Sequence, residues 1–282
     1  MFNPFEPISS LIKAGRDITS LFGDFNDTFR REAQRLIDAF KAHDLPPNEV
    51  IRLLPDELVG HDASVFERAS TLKGHLKRVS PWAAATLQLD PSWIKGRTKC
   101  PHTRINSYKH FAVLREFFEQ KQAEDHDMNR FILYVLKSDA EPMDRGRGIF
   151  VAILEEQFAE LDGEGVHRFF HMTHGHSFEN ASALMNLFQL LALAHFYGFH
   201  CKGKVMKEAD LAVLDECEGF IPDLWRNTSA KWWYPMDPLW LGMTGDQAWN
   251  ESVRRQLEAN LIRNGLQVMV DKLESDRIRL AR

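Results

Sequence analysis

Cysteine is scarce in this chain: three in 282 residues, Cys100, Cys201 and Cys217, with no CxxC pair. An odd, widely spaced set suggests neither a disulfide framework nor a thiolate zinc knuckle, and a reducing cytoplasm is the expected setting. Long apolar runs are missing as well. The most apolar stretch, ASALMNLFQLLALAHFYGF over 181–199, is interrupted by Asn186, Gln189, His195 and Gly198. It falls short of the roughly 18 to 20 apolar residues that span a bilayer, so it reads as a buried core helix and no membrane partner is expected. The opening MFNPFEPISSLIKAGRDITSLFGDF has no basic head leading into an uninterrupted apolar core, which predicts no signal peptide. Repeats, coiled-coil heptads and low-complexity tracts are absent. So are HExxH, GxSxG, GxxxxGK[ST] and GxGxxG, so that no zincin, hydrolase elbow, nucleotide site or cofactor is implied.

What is present is an uneven distribution of charge. Between Arg68 and Arg115 lie ten basic residues and one acid, Asp90, a net of +9. The whole chain is −5, which leaves 25 basic against 39 acidic residues, −14, outside that window. A basic stretch in an acidic protein is an electrostatic footprint for a polyanion, because released counterions drive phosphate binding whatever the base sequence. Arg68, Lys73, Lys77, Arg78, Lys95, Arg97, Lys99, Arg104 and Lys109 are the candidate nucleic-acid contacts. The alternative is a solvated basic face that pairs with the acidic remainder of the same molecule.

The pattern along the chain predicts an α+β protein, predominantly helical, with a helical N-terminal unit, a small α/β middle domain and a helical C-terminal region. The boundaries read as an arm over 1–26, a helical domain over 27–122 containing the basic window 68–115, the α/β domain over 123–205 and the helical region over 206–282. Phe29, Ala33, Leu36, Ile37 and Phe40 recur at helical spacing and make one apolar stripe ending near His43. Pro46-Pro47 opens a short helix through Val50 that Pro55 closes, and Asp62 is a candidate cap for the next. Ser80-Pro81 and Asp90-Pro91 each set a capping residue before a proline, predicting helix starts there and an end at Gly96. Trp82 and Trp93, on these short helices, should be largely buried against Leu36, Phe40 and Leu54. A helix follows over 108–122. Phe131–Lys137 and 166–172 read as strands, 148–154 as a strand or a helix start, and a long helix begins at Phe178 with Ser177 as its cap. From Lys202 the pattern returns to helices, the last two broken at Asn264-Gly265.

The stretch ATLQLDPSWIKG, Ala85 to Gly96, resembles the final part of the helix-turn-helix domain of Cro and cI type repressors, where an alanine-rich helix passes into a Pro-Xaa-Trp-Leu helix ending in glycine. LIDAFKAHDLPPNEVIRLL, Leu36 to Leu54, is similar to that family's first helix, turn and second helix. The resemblance covers at most 32–96 and implies a DNA-binding regulatory protein. The chain departs from the family at Pro55-Asp56-Glu57-Leu58-Val59-Gly60, which stands where a recognition helix should begin and carries acids instead of a groove-reading polar set.

Two further groups are candidates for function. His171, His174 and His176 lie in a glycine-containing loop between a strand and a helix, and closely spaced imidazoles of this kind can converge on one metal, making a metal-dependent enzyme the rival reading. Strand alternation, however, sends His171 away from Met172, and the turn at Gly175 separates His174 from His176, so no metal is expected. Cys100 beside Lys99 lacks an identifiable base, and no catalytic residue is assigned. Trp232, Trp233, Tyr234 and Trp240 form a proline-rich aromatic stretch suited to packing between domains, or to a homodimer or protein partner together with the C-terminal helices. An interaction or scaffold module is the third reading.

Overall fold

A computed structural model describes residues 28–105, 108, 110–125, 127–240 and 242–280. The expected N-terminal arm over 1–26 and the candidate contact Lys109 lie outside the described residues. The protein is α+β and predominantly helical. It divides into two compact units, 1–85 with 91–97, and 86–90 with 98–282. Residues 206–282 therefore share a unit with 123–205.

The first unit opens with α1, residues 28–42, whose Ala33, Leu36, Ile37 and Phe40 face inward while Phe29 stays exposed. α2 (Pro47–Leu53) starts on its proline pair and buries Val50. The chain then breaks into one-turn pieces: α3 (Asp56–Val59), a 3-10 turn at Ala63–Phe66, α4 (Ala69–Leu72) and a second 3-10 turn at Lys73–His75. Asp62 caps the first 3-10 turn, its carboxylate accepting the Ser64 N–H at 3.0 Å.

α5 (Leu76–Leu87) contains Pro81 instead of starting at it. The proline is tolerated because Lys77, Pro81 and Ala85 make the exposed stripe, where water can satisfy the carbonyl that Pro81 leaves unbonded. α6 (Pro91–Ile94) ends at Gly96, whose φ of 71° suits glycine and whose missing side chain leaves room for the Arg35 guanidinium, hydrogen-bonded at 3.3 Å to the Ile94 carbonyl. Trp82 and Trp93 are mostly buried, as expected, though neither is fully enclosed. Trp82 lies tilted over Phe40 with centroids 6.2 Å apart, but Phe66 meets the same ring edge-on at 5.7 Å and takes part of the expected space.

The second unit is built on a five-stranded sheet of order β3-β2-β1-β4-β5. After α7 (Phe111–Glu124), β1 (Phe131–Lys137), β2 (Val151–Leu161) and β3 (Glu164–His171) form an antiparallel meander. α8 (Ala181–Phe196) then crosses to β4 (His200–Val205), which lies parallel to β1. Alternation along β1 divides the apolar side chains between two layers. Phe131, Leu133 and Val135 join the larger core with α7, α8 and the last two helices; Tyr134 and Leu136 join the smaller one.

That smaller layer is completed by α9 (Glu208–Asp215) and α10 (Ile221–Arg226). β5, only Trp232–Trp233, pairs at the β4 edge. α11 (Gln247–Arg263) and α12 (Gln267–Leu280) send Val253, Leu257, Leu261, Met269 and Leu273 into the larger core, which is why the C-terminal region does not form a body of its own. Among the described residues no helix is long and apolar enough to cross a membrane.

Three local expectations are corrected. β4 stands where a return to helices was expected; HCKGKV has little apolar periodicity of its own, and its pairing with β1 makes it a strand. The cap of α8 is Asn180, which accepts from the Ser182 and Ala183 N–H groups at 3.0 and 3.1 Å, because Ser177 is held extended in a bridge with Ile149. Cys100 and Cys217 form a disulfide across 117 residues. Their distance in sequence concealed a Cα separation of 4.8 Å.

Candidate functional site

The basic window is divided between the two units. Arg68, Lys73, Lys77, Arg78, Lys95 and Arg97 belong to the first, Lys99, Arg104 and Arg115 to the second. Lys99 pairs with Glu218 at 3.0 Å and Arg115 with Glu119 at 3.3 Å, while Arg104 donates to the Glu216 carbonyl at 3.0 Å. Two of these cations, Lys99 and Arg115, are thus paired with acids from outside the window. In the first unit Arg78 is exposed and donates to the Glu57 carbonyl, and Lys73 is half-buried. Arg68, Lys77, Lys95 and Arg97 are exposed, and no carboxylate pairs with any of them among the described residues.

The histidine loop builds a different kind of site. β3 ends at His171, and the chain continues alongside β2, with Met172 N–H donating to the Ala152 carbonyl at 2.9 Å and Phe150 N–H to the His176 carbonyl at 3.1 Å. On the other side of His171 runs the strap 99–105. Ile105 N–H donates to the His171 carbonyl at 2.9 Å, and the His171 N–H to the Thr103 carbonyl at 3.3 Å. The disulfide anchors one end of this strap. His102, fully buried, accepts the Ile221 N–H at 3.1 Å through Nε2 and anchors its middle. Strap and loop enclose a cavity of about 280 Å³ lined by Arg104, Ile105, Tyr108, His171, Met172, Thr173, His174 and His176.

The three imidazoles enter this cavity with separate commitments. His171, 0% exposed, donates Nε2–H to the Leu214 carbonyl at 2.7 Å, while Met172 turns into the opposite core. His174 donates Nδ1–H to the Asp215 carbonyl at 3.0 Å, and Asp215 Oδ1 accepts the Gly175 N–H at 2.9 Å. His176 Nδ1 lies 2.7 Å from the His174 carbonyl, its Nε2 3.3 Å from Asn186 Oδ1, and its ring meets Tyr108 edge-on. Among the described residues no three His, Cys, Asp or Glu side chains are placed to share a metal ion. Burial pushes the His171 ring down to about 4, with the nearby charges of Arg104 and His174 acting in the same direction against the Leu214 and Thr173 backbone groups, so the ring is neutral at pH 7. Two buried nitrogens here, Arg104 Nε and His171 Nδ1, make no well-formed hydrogen bond.

A larger cavity, about 540 Å³, lies between α8, β4 and the aromatic stretch, with Phe199, Cys201, Met236, Trp240, Met243 and Leu280 in its walls. His195 at its edge bonds through Nε2 to Asp276 Oδ2 at 2.8 Å and stacks edge-on with Trp240. Burial opposes charge on Asp276, yet hydrogen bonds from His195 and Lys272 hold its carboxyl below the usual range. Burial pushes the Cys201 thiol up to about 12, which removes it as a nucleophile. Of the aromatic stretch, Trp233 is buried and donates its indole N–H to the Lys204 carbonyl at 3.2 Å, and Trp240 is half-buried. Trp232 and Tyr234 alone are exposed, 51% and 79%.

No protein-family model matches the chain, no curated protein matches it, and no solved structure matches it. The site is therefore argued from its own geometry. Sequence reasoning found the three histidines but not Tyr108 as their neighbour, nor the part Arg104 plays in the cavity. The one sequence signal for Arg104 was its place within the basic window, and that pointed to nucleic acid.

Proposed function

We propose that the protein is a nucleic-acid-associated regulatory protein that contacts phosphate through its first unit. The observation that supports the reading is the set Arg68, Lys77, Lys95 and Arg97, exposed and unmatched by any described carboxylate. Such cations release condensed counterions from a duplex and need no base contact to bind it. The likeness to helix-turn-helix repressors adds a place for base reading. The two α-helical turns between Leu54 and Leu76 are about 6 Å long at four residues each, too short to follow a major groove about 12 Å wide. α5, twelve residues and about 18 Å, has the length, and Lys77 and Arg78 stand in its first turn, where a groove-bound helix makes its contacts.

A cytoplasmic setting belongs to this proposal. In a reducing compartment Cys100 and Cys217 rest as thiols and join on oxidation. The scaffold reading retains one observation in its favour, the exposure of Trp232 and Tyr234 beside each other. The metal-enzyme reading has no three-ligand set among the described residues to support it.

Fluorescence anisotropy with a labelled duplex tests the lead. Binding at about 50 mM salt should weaken between 50 and 200 mM with a log–log slope of several units, and Lys77→Glu with Arg78→Glu should reduce both affinity and slope. A chain that binds neither DNA nor RNA at about 50 mM salt refutes the proposal.

A further inference from the structure

We infer that the cavity between the strap 99–105 and the end of β3 binds a small ligand carrying an oxyanion next to a hydroxyl, either a protonated phosphate or a 2-hydroxy carboxylate. This goes beyond phosphate contact by the first unit and concerns the second unit alone. The first ground is an unbalanced charge. Arg104 lines the cavity with a permanent positive charge, spends one nitrogen on the Glu216 carbonyl, and keeps a buried Nε without an acceptor. Among the described residues no carboxylate forms an ion pair with Arg104, and Glu218 pairs with Lys99. The guanidinium is partly exposed through its Glu216 bond, but its buried Nε has no acceptor, which is costly, and a bidentate oxyanion is the partner the fork fits.

The second ground is a buried acceptor. His171 uses its Nε2–H on the Leu214 carbonyl, so the neutral ring presents Nδ1 as a lone pair, and that atom makes no well-formed hydrogen bond although the Thr173 backbone lies close to the ring. An O–H on the ligand supplies the missing donor. A ligand with both groups thus satisfies Arg104 and His171 together, which neither a metal ion nor a simple apolar molecule does. The walls are already in place: the His102–Ile221 bond and the Ile105–His171 backbone bond hold the strap, and the Phe150–His176 bond holds the loop. A cavity of about 280 Å³ admits a ligand of only a few heavy atoms or the head of a longer one.

Isothermal titration calorimetry on the full chain, with inorganic phosphate, glycolate and acetate as separate probes, tests the site. Phosphate or glycolate should bind saturably, and whichever binds identifies the source of the oxyanion. Acetate, which has no hydroxyl, should bind at least about ten-fold more weakly than glycolate, and Arg104→Gln should weaken the binding probe by at least about ten-fold. Arg104→Lys, which keeps the charge and loses the fork, should fall between, and thermal melts of each variant confirm that it folds. The His171 ring signals should move on titration in NMR spectra. Failure of both phosphate and glycolate to bind at about 10 mM overturns the site, as does an Arg104→Gln variant that binds like the parent. If acetate matches glycolate, the part assigned to His171 is wrong.

Discussion

Buried ionisable side chains in the second unit find partners within the protein. Lys137, 1% exposed, reaches Asp139 at 2.8 Å and the Glu141 carbonyl and lies over the Trp233 ring. Glu156 sits between Lys121, at 3.2 Å, and Arg168. These groups cost desolvation and recover it through charge-assisted hydrogen bonds, whereas the His171 ring recovers it by remaining neutral. Its ordinary value of 6.5 falls to about 4 on folding, so the unfolded chain binds the proton more tightly. Stability contributed by neutral His171 is complete above about pH 6.5 and is lost as the pH falls towards 4, on the order of 3 kcal/mol in all. His171→Gln retains a donor for the Leu214 carbonyl and removes the titration. Urea denaturation at pH 7 and pH 4.5 should therefore show a smaller acid loss for this variant than for the parent; equal losses would place the proton elsewhere.

Among the elements, the strap 99–105 has no regular structure of its own and depends on what it is tied to. Besides its backbone bonds to His171 and to residues 88–90, it is held by the disulfide, the Lys99–Glu218 pair, the His102–Ile221 bond and the Arg104–Glu216 bond. Because the disulfide closes 117 residues, the double variant Cys100→Ser, Cys217→Ser should lose on the order of 4 kcal/mol relative to the oxidised parent, measured by chemical denaturation. A reduced parent should behave like the variant, and if all three species unfold alike the bond has no role in the native fold. The elements also show where local signals prevail and where they fail. Asp90-Pro91 and Gly96 bound α6 as their chemistry predicts, since proline at the first helical position and glycine at positive φ act within a few residues. Ser177 and Pro81 carry equally good local signals and lose to their surroundings, one to the bridge with Ile149 and the other to a helix that already runs from Leu76.

At the scale of the whole molecule, a single apolar core joins the middle sheet to the last two helices. Leu257 of α11, 1% exposed, belongs to the same core as Leu133 of β1 and Leu191 of α8. Leu257→Ala should cost about 2 to 5 kcal/mol and raise hydrogen exchange in β1 and α11 together. Protection lost in α11 alone would mean that 206–282 opens as a separate body.

The sequence by itself determined the class of the protein, the strand at Phe131–Lys137, the two terminal helices parted at Gly265 and the absence of the common reaction motifs. These rest on periodicity and on short-range backbone chemistry, which neighbouring residues decide. Tertiary structure decided the rest: β4 through pairing with β1, the Cys100–Cys217 bond through a 4.8 Å approach, and the meeting of Arg104 with His171 in one cavity. Each of those depends on residues far apart in the chain, 67 between Arg104 and His171 and more than a hundred between the cysteines. Contacts at such distances are set by how whole elements pack, and no local pattern of residues records them.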